Sequence, residues 1–495
     1  MQICEAAKTQ TPGAGMNPAK LWIDGQWRDN GQHEQSFNPA TGDAIGIYVD
    51  ARVSDVQTAI DAALRAFRRG DWAADRQLRV RVLHAMAQQF EDHAEELAML
   101  LALENGKTLQ QARFEVSFAP KTLRFNAALA TTDYGRAAEL AQDRLSIAIR
   151  QPVGVAGIYA PWNSPVALAI RSLGPALAAG CSAVVVLPRQ TAQVNALLSQ
   201  LIAATPGLPA GVVNILTGDK DVINHLVKSP KTSVISFTGS TGTGRAILAS
   251  AASTLKRVGL ELGGKTPIVI LEDADQDQAL EKVVEALTVF SGQFCVTGSR
   301  LLVHRTVADS FLHALAERLE KVRVGPGLEE SSQMGPLINK ASVKRVESMV
   351  MDAISYGAEV IVRGGPITDG PLAAGAFFRP TLLEVPNSNL PIVQEEVFGP
   401  VLTVQRFDTE AEAIELANDS EYGLAASVWS QDVDRVMQMA RHINAGTVWI
   451  NDWGSMDDAF EEGGFKSSGL GRLRGLAGLE DFLEYKHIAL KTKSG

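Results

Sequence analysis

Cys295 lies in the run Gly292-Gln293-Phe294-Cys295-Val296-Thr297-Gly298-Ser299-Arg300 and has the side chain best suited to covalent chemistry in this chain. Only three cysteines occur among 495 residues. Small and polar residues bracket this one, as they would a thiol that meets a carbonyl. A free thiol titrates near ~8.5, so only a small fraction is thiolate at neutral pH. A nucleophilic role therefore needs a base or a field of hydrogen-bond donors beside the sulfur. The competing reading is a buried, inert cysteine.

Three other segments carry groups that would serve such a thiol. In Leu260-Glu261-Leu262-Gly263-Gly264-Lys265 an acid sits inside an apolar strand. Burial raises a carboxyl pKa, which suits a general base for a thiol or for water. Pairing with Lys265 at a strand end is the alternative. In Pro161-Trp162-Asn163-Ser164-Pro165 an amide is held between two prolines and could donate to an oxyanion, or simply form an Asn turn. Phe237-Thr238-Gly239-Ser240-Thr241-Gly242-Thr243-Gly244 follows a strand and opens a helix. Such a turn lets backbone N–H groups approach a phosphate, or it merely turns the chain. The Gly-x-Gly-x-x-Gly fingerprint is absent, and Gly218-Asp219-Lys220-Asp221 does not fit it.

Alternating strand and helix patterns must position these groups. Residues 53–69 show helical spacing of Val56, Ile60, Ala63, Leu64 and Phe67, and long amphipathic helices continue through 76–104. The pattern turns strand-like over 144–158. A helix follows over 164–179, and the apolar run Ser182–Leu187 reads as a buried parallel strand. Strands at Gly211–Leu216 and Ser233–Phe237 alternate with helices after Asp219 and near Gly242. A second series begins after Gly264: strand Pro267–Leu271, helix Asp275–Phe290, strand Arg300–His304 and helix Ala308–Val322. Two doubly wound α/β units are expected.

Composition narrows the class of partner. The length suits two or three domains. The formal net charge is −10, with no Lys/Arg-rich run, so nucleic acid is not an expected partner. No apolar stretch reaches the ~18–20 residues of a membrane span. The N-terminal residues 1–18 read as a flexible tail without a signal peptide. An odd, sparse cysteine count suits a reducing cytosol, so a cytoplasmic location is expected.

Taken in order, PWN, FTGSTGTG, LELGGK, GQFCVTGSR, EEVFGPV, GTVWIND and GGFKSSGLGR resemble the aldehyde dehydrogenase superfamily from about residue 20 to 490. The 34-residue step from Glu261 to Cys295 fits that pattern. The resemblance implies NAD(P)-dependent oxidation of a small-molecule aldehyde to its acid. Cys295 would attack the aldehyde, Asn163 and the Cys295 N–H would hold the oxyanion, and Glu261 would activate the hydrolytic water. Trp162 and Ser240 would sit at the pyrophosphate, Glu396 would hold the nicotinamide ribose, and Phe398 would border the nicotinamide. Gly239 and Leu262 join the implied cofactor contacts. No metal is implied. The family's fold adds a small β arm to the two α/β units. It implies a cofactor-binding domain (19–129 and 153–263), a catalytic domain (264–465) and an oligomerisation arm (130–152 and 478–495). A homodimer or homotetramer is usual.

Some positions depart from the family pattern. Val186 stands where a ribose-binding Lys is frequent, and Arg189 where an acid is frequent. An acid there repels a 2′-phosphate, whereas an arginine could bind one or could be a solvated surface residue. NAD or NADP therefore both remain open. In the substrate channel Ser164 and Glu462 replace aromatics, Arg171 replaces a Trp, and Ser172 replaces a Lys of a proton relay. Arg171 could hold a substrate carboxylate. Glu462 could favour a cationic or hydroxylated substrate, or the two could pair or face solvent. Two rival functions stay in view: acyl transfer to coenzyme A or phosphate, against which Glu261 argues, and a catalytically silent protein of the same fold.

Overall fold

The computed structural model describes residues 17–132 and 134–492. Residues 1–16 of the expected tail, with Cys4, lie outside the described residues, as do 133 and 493–495.

Two large sheets organise the chain. In the first, of eight strands, five run parallel in the spatial order Val213–Thr217, Ser182–Leu187, Val155–Tyr159, Val234–Thr238, Arg257–Glu261. The chain builds outward from Val155–Tyr159 in one direction, then returns to its other side with Val234–Thr238. That reversal is a topological switch point, where loops at the carboxyl ends of neighbouring strands diverge and leave a crevice. Val, Ile and Leu dominate these strands, and both faces are covered. Helices Arg76–Asp92, Ala94–Asn105, Leu109–Thr132 and Pro165–Ala179 form a core on one face. Helices Val53–Arg69, Lys220–Lys228 and Thr241–Ala251 cover the other.

The second sheet has seven strands, with Thr266–Ile270 between Gly298–His304 and Ala425–Trp429. Only Leu262–Lys265 separates it from the last parallel strand of the first sheet. Glu261 thus ends its strand with four residues between it and the start of the other sheet. A third sheet joins Arg136–Ala141, Arg144–Pro152 and Leu483–Lys491 in antiparallel register.

Most elements fall within a few residues of the expectation, with three informative shifts. The expected helix Asp275–Phe290 stops at Thr288, because Phe290 and Ser291 take left-handed φ of 50° and 59° and Gly292 follows at 71°. The third sheet is entered later than expected, since Leu109–Thr132 stays helical through 132 and Ala477–Phe482 forms a 3₁₀ turn. The strand expected at Gly211–Leu216 is Val213–Thr217, after Gly211 turns at φ 81°. Among the described residues no helix is long and apolar enough to cross a membrane.

Candidate active site

Loops at the switch point build a trough of two adjoining cavities. The first, of about 630 Å³, is lined by Trp162 after one central strand and by Gly239 and Ser240 after its neighbour. Ser240 caps the helix Thr241–Ala251 by accepting from the Thr243 amide. A Cβ placed on Gly242 would meet nothing within 4 Å, so the first turn of this helix is open. Open amides and the helix dipole favour an anion. Phe237, Ala246 and Ile247 give apolar walls, and Pro188, Arg189, Gln190, Gly218, Asp219 and Lys220 give a polar far end. An anion seat between an apolar slot and polar ends fits a dinucleotide.

The second cavity, of about 330 Å³, shares Trp162, Gly239 and Ser240 with the first and brings Asn163, Glu261 and Cys295 together with Leu262, Glu396 and Phe398. Asn163 follows a peptide pinned by the Asn105 side chain, which donates to the Trp162 carbonyl at 2.6 Å. Behind it, the buried Lys107 ammonium pairs with Glu115 and donates to Ser164 Oγ at 3.2 Å. Glu115 also accepts from the Val166 amide at 2.9 Å, which caps the helix Pro165–Ala179 from outside.

The left-handed run Phe290–Gly292 swings the chain away from its helix and delivers Cys295 to the cavity. A side chain at Gly292 would collide with the Gly399–Pro400 backbone. Phe294 packs edge-on against Phe290 at 5.1 Å and against Trp453 at 6.3 Å, and Trp453 donates to the Val296 carbonyl at 2.9 Å. The loop is thus held on both sides of the thiol. Glycine is also needed opposite it: a Cβ on Gly264 would strike the Cys295 carbonyl, and one on Gly263 would reach Glu396 Oε2 at 2.6 Å.

Burial dominates the electrostatics here. It pushes the Cys295 thiol up, and the negative Glu462 adds to the effect while Arg171 opposes it. Burial likewise lifts the Glu261 carboxyl well above the usual range, with Arg171 opposing and Glu462 reinforcing. Glu396 is pushed up to about 7 by burial, against its hydrogen bond from the Gly264 amide at 3.1 Å. Burial therefore favours the protonated form of both groups. Each must lose a proton before it acts as nucleophile or base.

The alternative pairing of Glu261 with Lys265 is not what forms: among the described residues the buried Lys265 amine has no hydrogen-bond partner. Arg171 and Glu462 do pair, at 2.7 Å. Glu462 also binds Arg474 at 2.7 Å, Arg474 binds Asp458 at 2.6 Å, and Arg171 donates to Thr238 at 3.0 Å. Burial alone would raise the Glu462 carboxyl, but the two arginines outweigh it and keep it ionised. Of the alternatives the sequence left open for these two residues, mutual pairing is the one that forms.

Two cofactor-side expectations also change. Val186 is wholly buried in its strand and packs in the apolar core, so its side chain does not line the cavity. Arg189 is partly exposed, but its guanidinium is already paired on both sides. Its Nε and Nη2 bind Asp50 at 2.7 and 2.5 Å, and its Nη1 binds Asp219 at 2.7 Å. Sequence reading set aside Gly218–Asp219–Lys220 for lacking a fingerprint, yet these residues line the cavity. Asp50, Asp458 and Arg474 had no signal at all, since nothing local distinguishes them from surface charges.

The model of the aldehyde dehydrogenase family matches residues 27–488. The chain is 37% identical to the betaine aldehyde dehydrogenase of Bacillus subtilis (strain 168), over 96% of this chain and 97% of that protein. It is 37% identical to the NADP(+) succinate-semialdehyde dehydrogenase GabD of Escherichia coli (strain K12), over 94% of this chain and 97% of the relative. Betaine aldehyde dehydrogenase of Staphylococcus aureus, solved in complex with NAD+, superposes with a TM-score of 0.93 at 35% identity, covering 100% of this chain and 98% of that one.

Proposed function

The chain belongs to the aldehyde dehydrogenase family, and from that premise we propose how its own residues divide the work and which aldehydes it takes. It oxidises an aldehyde to the carboxylic acid with NAD or NADP. The convergence of Asn163, Glu261 and Cys295 on one cavity carries the assignment of roles.

Cys295 is the nucleophile. Its sulfur bonds to the aldehyde carbon, the carbonyl oxygen takes the negative charge, and the thiol proton goes to Glu261 or to solvent. The Asn163 amide and the Cys295 N–H hold that oxygen, and removing one such donor typically costs about 3 kcal/mol of transition-state stabilisation. A bound nicotinamide would supply the hydride acceptor for this carbon, and loss of hydride would leave an acyl thioester on Cys295. Glu396 would hold the adjoining ribose, with Trp162, Gly239, Ser240, Leu262 and Phe398 as neighbours. Glu261, with any earlier proton passed to solvent, then takes a proton from water, whose oxygen bonds to the thioester carbon; the C–S bond breaks, the acid leaves and Cys295 is released as thiolate.

The substrate reading rests on Arg171. Its charge is already matched by Glu462 in a buried pair, which disfavours a substrate with a terminal carboxylate. A further cavity is lined by Phe460, Asp457, Glu461 and Glu462, with Arg474 and with Val296 next to the nucleophile. An aromatic and acidic approach suits an uncharged or cationic aldehyde, as the names of the betaine aldehyde relatives also suggest.

We assign 19–129 and 153–263 to holding the cofactor and 264–465 to the nucleophile. The arm, 130–152 with 478–495, joins copies into a homodimer or homotetramer. Exposed Leu140, Tyr485, Ile488 and Leu490 support that last role. A cytoplasmic location agrees with the sparse cysteines.

The test is a panel of neutral, cationic and carboxylate-bearing aldehydes, run on the wild type and Cys295→Ala with both cofactors. Carboxylated aldehydes are expected to have the lowest kcat/KM. Cys295→Ala should bind cofactor and show no turnover. A best substrate with a carboxylate would overturn the substrate reading, and turnover by Cys295→Ala the assignment of the nucleophile.

A further inference from the structure

We propose that Asp219 is the residue that makes this enzyme select NAD over NADP, by occupying the arginine that a 2′-phosphate would need. The inference rests on the reading of the first cavity as the dinucleotide site.

The two cavities fix a direction along the trough. Cys295 and Glu261 line the inner cavity, and the open helix turn at Ser240–Thr243 lies in the shared middle. The nucleoside furthest from the thiol therefore reaches the far end, among Pro188, Arg189, Gln190, Gly218, Asp219 and Lys220. NAD and NADP differ there by one group. The first presents a ribose hydroxyl, the second a phosphate with close to two negative charges.

Arg189 and Lys220 would favour the phosphate if they were free. Arg189 is not. Asp50 takes two of its nitrogens, and that carboxylate is buried, with a side chain only 2% exposed. This leaves Nη1 as the edge of the guanidinium that lines the rim, and Asp219 holds it at 2.7 Å. Asp219 is fixed in turn as the cap of the helix Lys220–Lys228, where its Oδ1 accepts from the Asp221 amide at 3.1 Å. A 2′-phosphate would have to displace a carboxylate that is tied down at both oxygens and repels it. A ribose hydroxyl meets no such conflict, since it can donate to the carboxylate. Selection here acts mainly by repulsion of the wrong ligand.

Asp50 and Asp219 thus have separate tasks. Asp50 orients the guanidinium from beneath, while Asp219 closes its outer edge. Opening that edge leaves Arg189 aimed at the cavity and Lys220 beside it, which together make a phosphate seat.

The experiment is equilibrium binding of NAD+, NADP+, AMP and 2′-AMP by calorimetry to the purified enzyme, to Asp219→Asn and to Asp219→Ser. Both substitutions supply another capping side chain, so the helix start is kept. The wild type is expected to bind NAD+ at least tenfold more tightly than NADP+. The ratio should shift toward NADP+ by tenfold or more in both variants, with the same shift between AMP and 2′-AMP. Adding Arg189→Ala to Asp219→Asn should abolish the gain. A wild-type preference for NADP+, or an unchanged ratio in both variants, would overturn the inference while leaving the dinucleotide site standing. Wild-type protein that binds neither dinucleotide would overturn the cavity reading and the inference with it.

Discussion

Arg189 lines the far end of the trough and Arg171 is buried against Thr238 of the inner cavity, and each is bound by two groups of its own chain. Arg171 meets Glu462 and Thr238, with its side chain 4% exposed. Arg189 meets Asp50 and Asp219, with its side chain 39% exposed. Each looked, as a residue type, like a receptor for an anion on a ligand. The protein fills both receptors itself, and the environments give the two fillings different consequences. At the buried end the partners are committed for good, because an unpaired charge there has no water to turn to. At the rim one partner is exchangeable, because solvent can replace it at little cost. The buried pair therefore shapes the site, and the rim pair screens ligands.

The contrast is tested hardest by stability. Arg171→Met leaves Glu462 short of one of its two arginines and removes the positive charge that most opposes the rise of the Glu261 pKa. We expect a loss of about 3–5 kcal/mol, the usual consequence of breaking a buried pair, read from urea unfolding. A loss below about 1 kcal/mol would place Arg171 in the same class as Arg189 and break the contrast.

Glu462→Gln acts on the same end from the other side. It frees one edge of Arg171, so kcat/KM for a carboxylated aldehyde should rise about tenfold, the worth of one charge-assisted hydrogen bond of roughly 1.5 kcal/mol. It also removes a negative neighbour of Glu261 and Cys295. Both groups have pKa values raised by burial and by that charge, so activity should climb with pH as they lose protons. Without Glu462 their pKa values fall, and the rising limb of the pH–rate profile should move to lower pH. A limb that stays in place or moves up would show that Glu462 is electrostatically remote from the reaction.

The smallest effect belongs to the rim. Asp219→Asn should change unfolding free energy by less than about 1 kcal/mol, since both partners are partly solvated and Asn caps as well as Asp. A loss near that of Arg171→Met would make Asp219 a structural member rather than a screen.

Much of this was legible in the chain because it is local. The run Ser182–Leu187 is apolar throughout and becomes a strand buried on both faces. The turn at Gly239–Gly242 places a hydroxyl cap and small residues where a helix opens. The motif order also brought Asn163, Glu261 and Cys295 to one cavity although they span 132 residues. What the residues left open was who answers a charge, the Arg171–Glu462 pair being one of several alternatives. Val186 was placed at the ribose by position, yet its side chain packs in the core. Arg189 was left open to a phosphate, yet Asp50 reaches it from 139 residues away.

By itself the sequence determined the family, the parallel α/β architecture and the reactive groups. Periodicity, turn chemistry and motif order are properties of neighbours along the chain. Only the tertiary structure decided the ligand-facing charges. An ion pair is a matter of distance and dielectric, and Glu462 lies 291 residues from Arg171. Residue type states which charges exist. Folding decides which of them are already spent on one another.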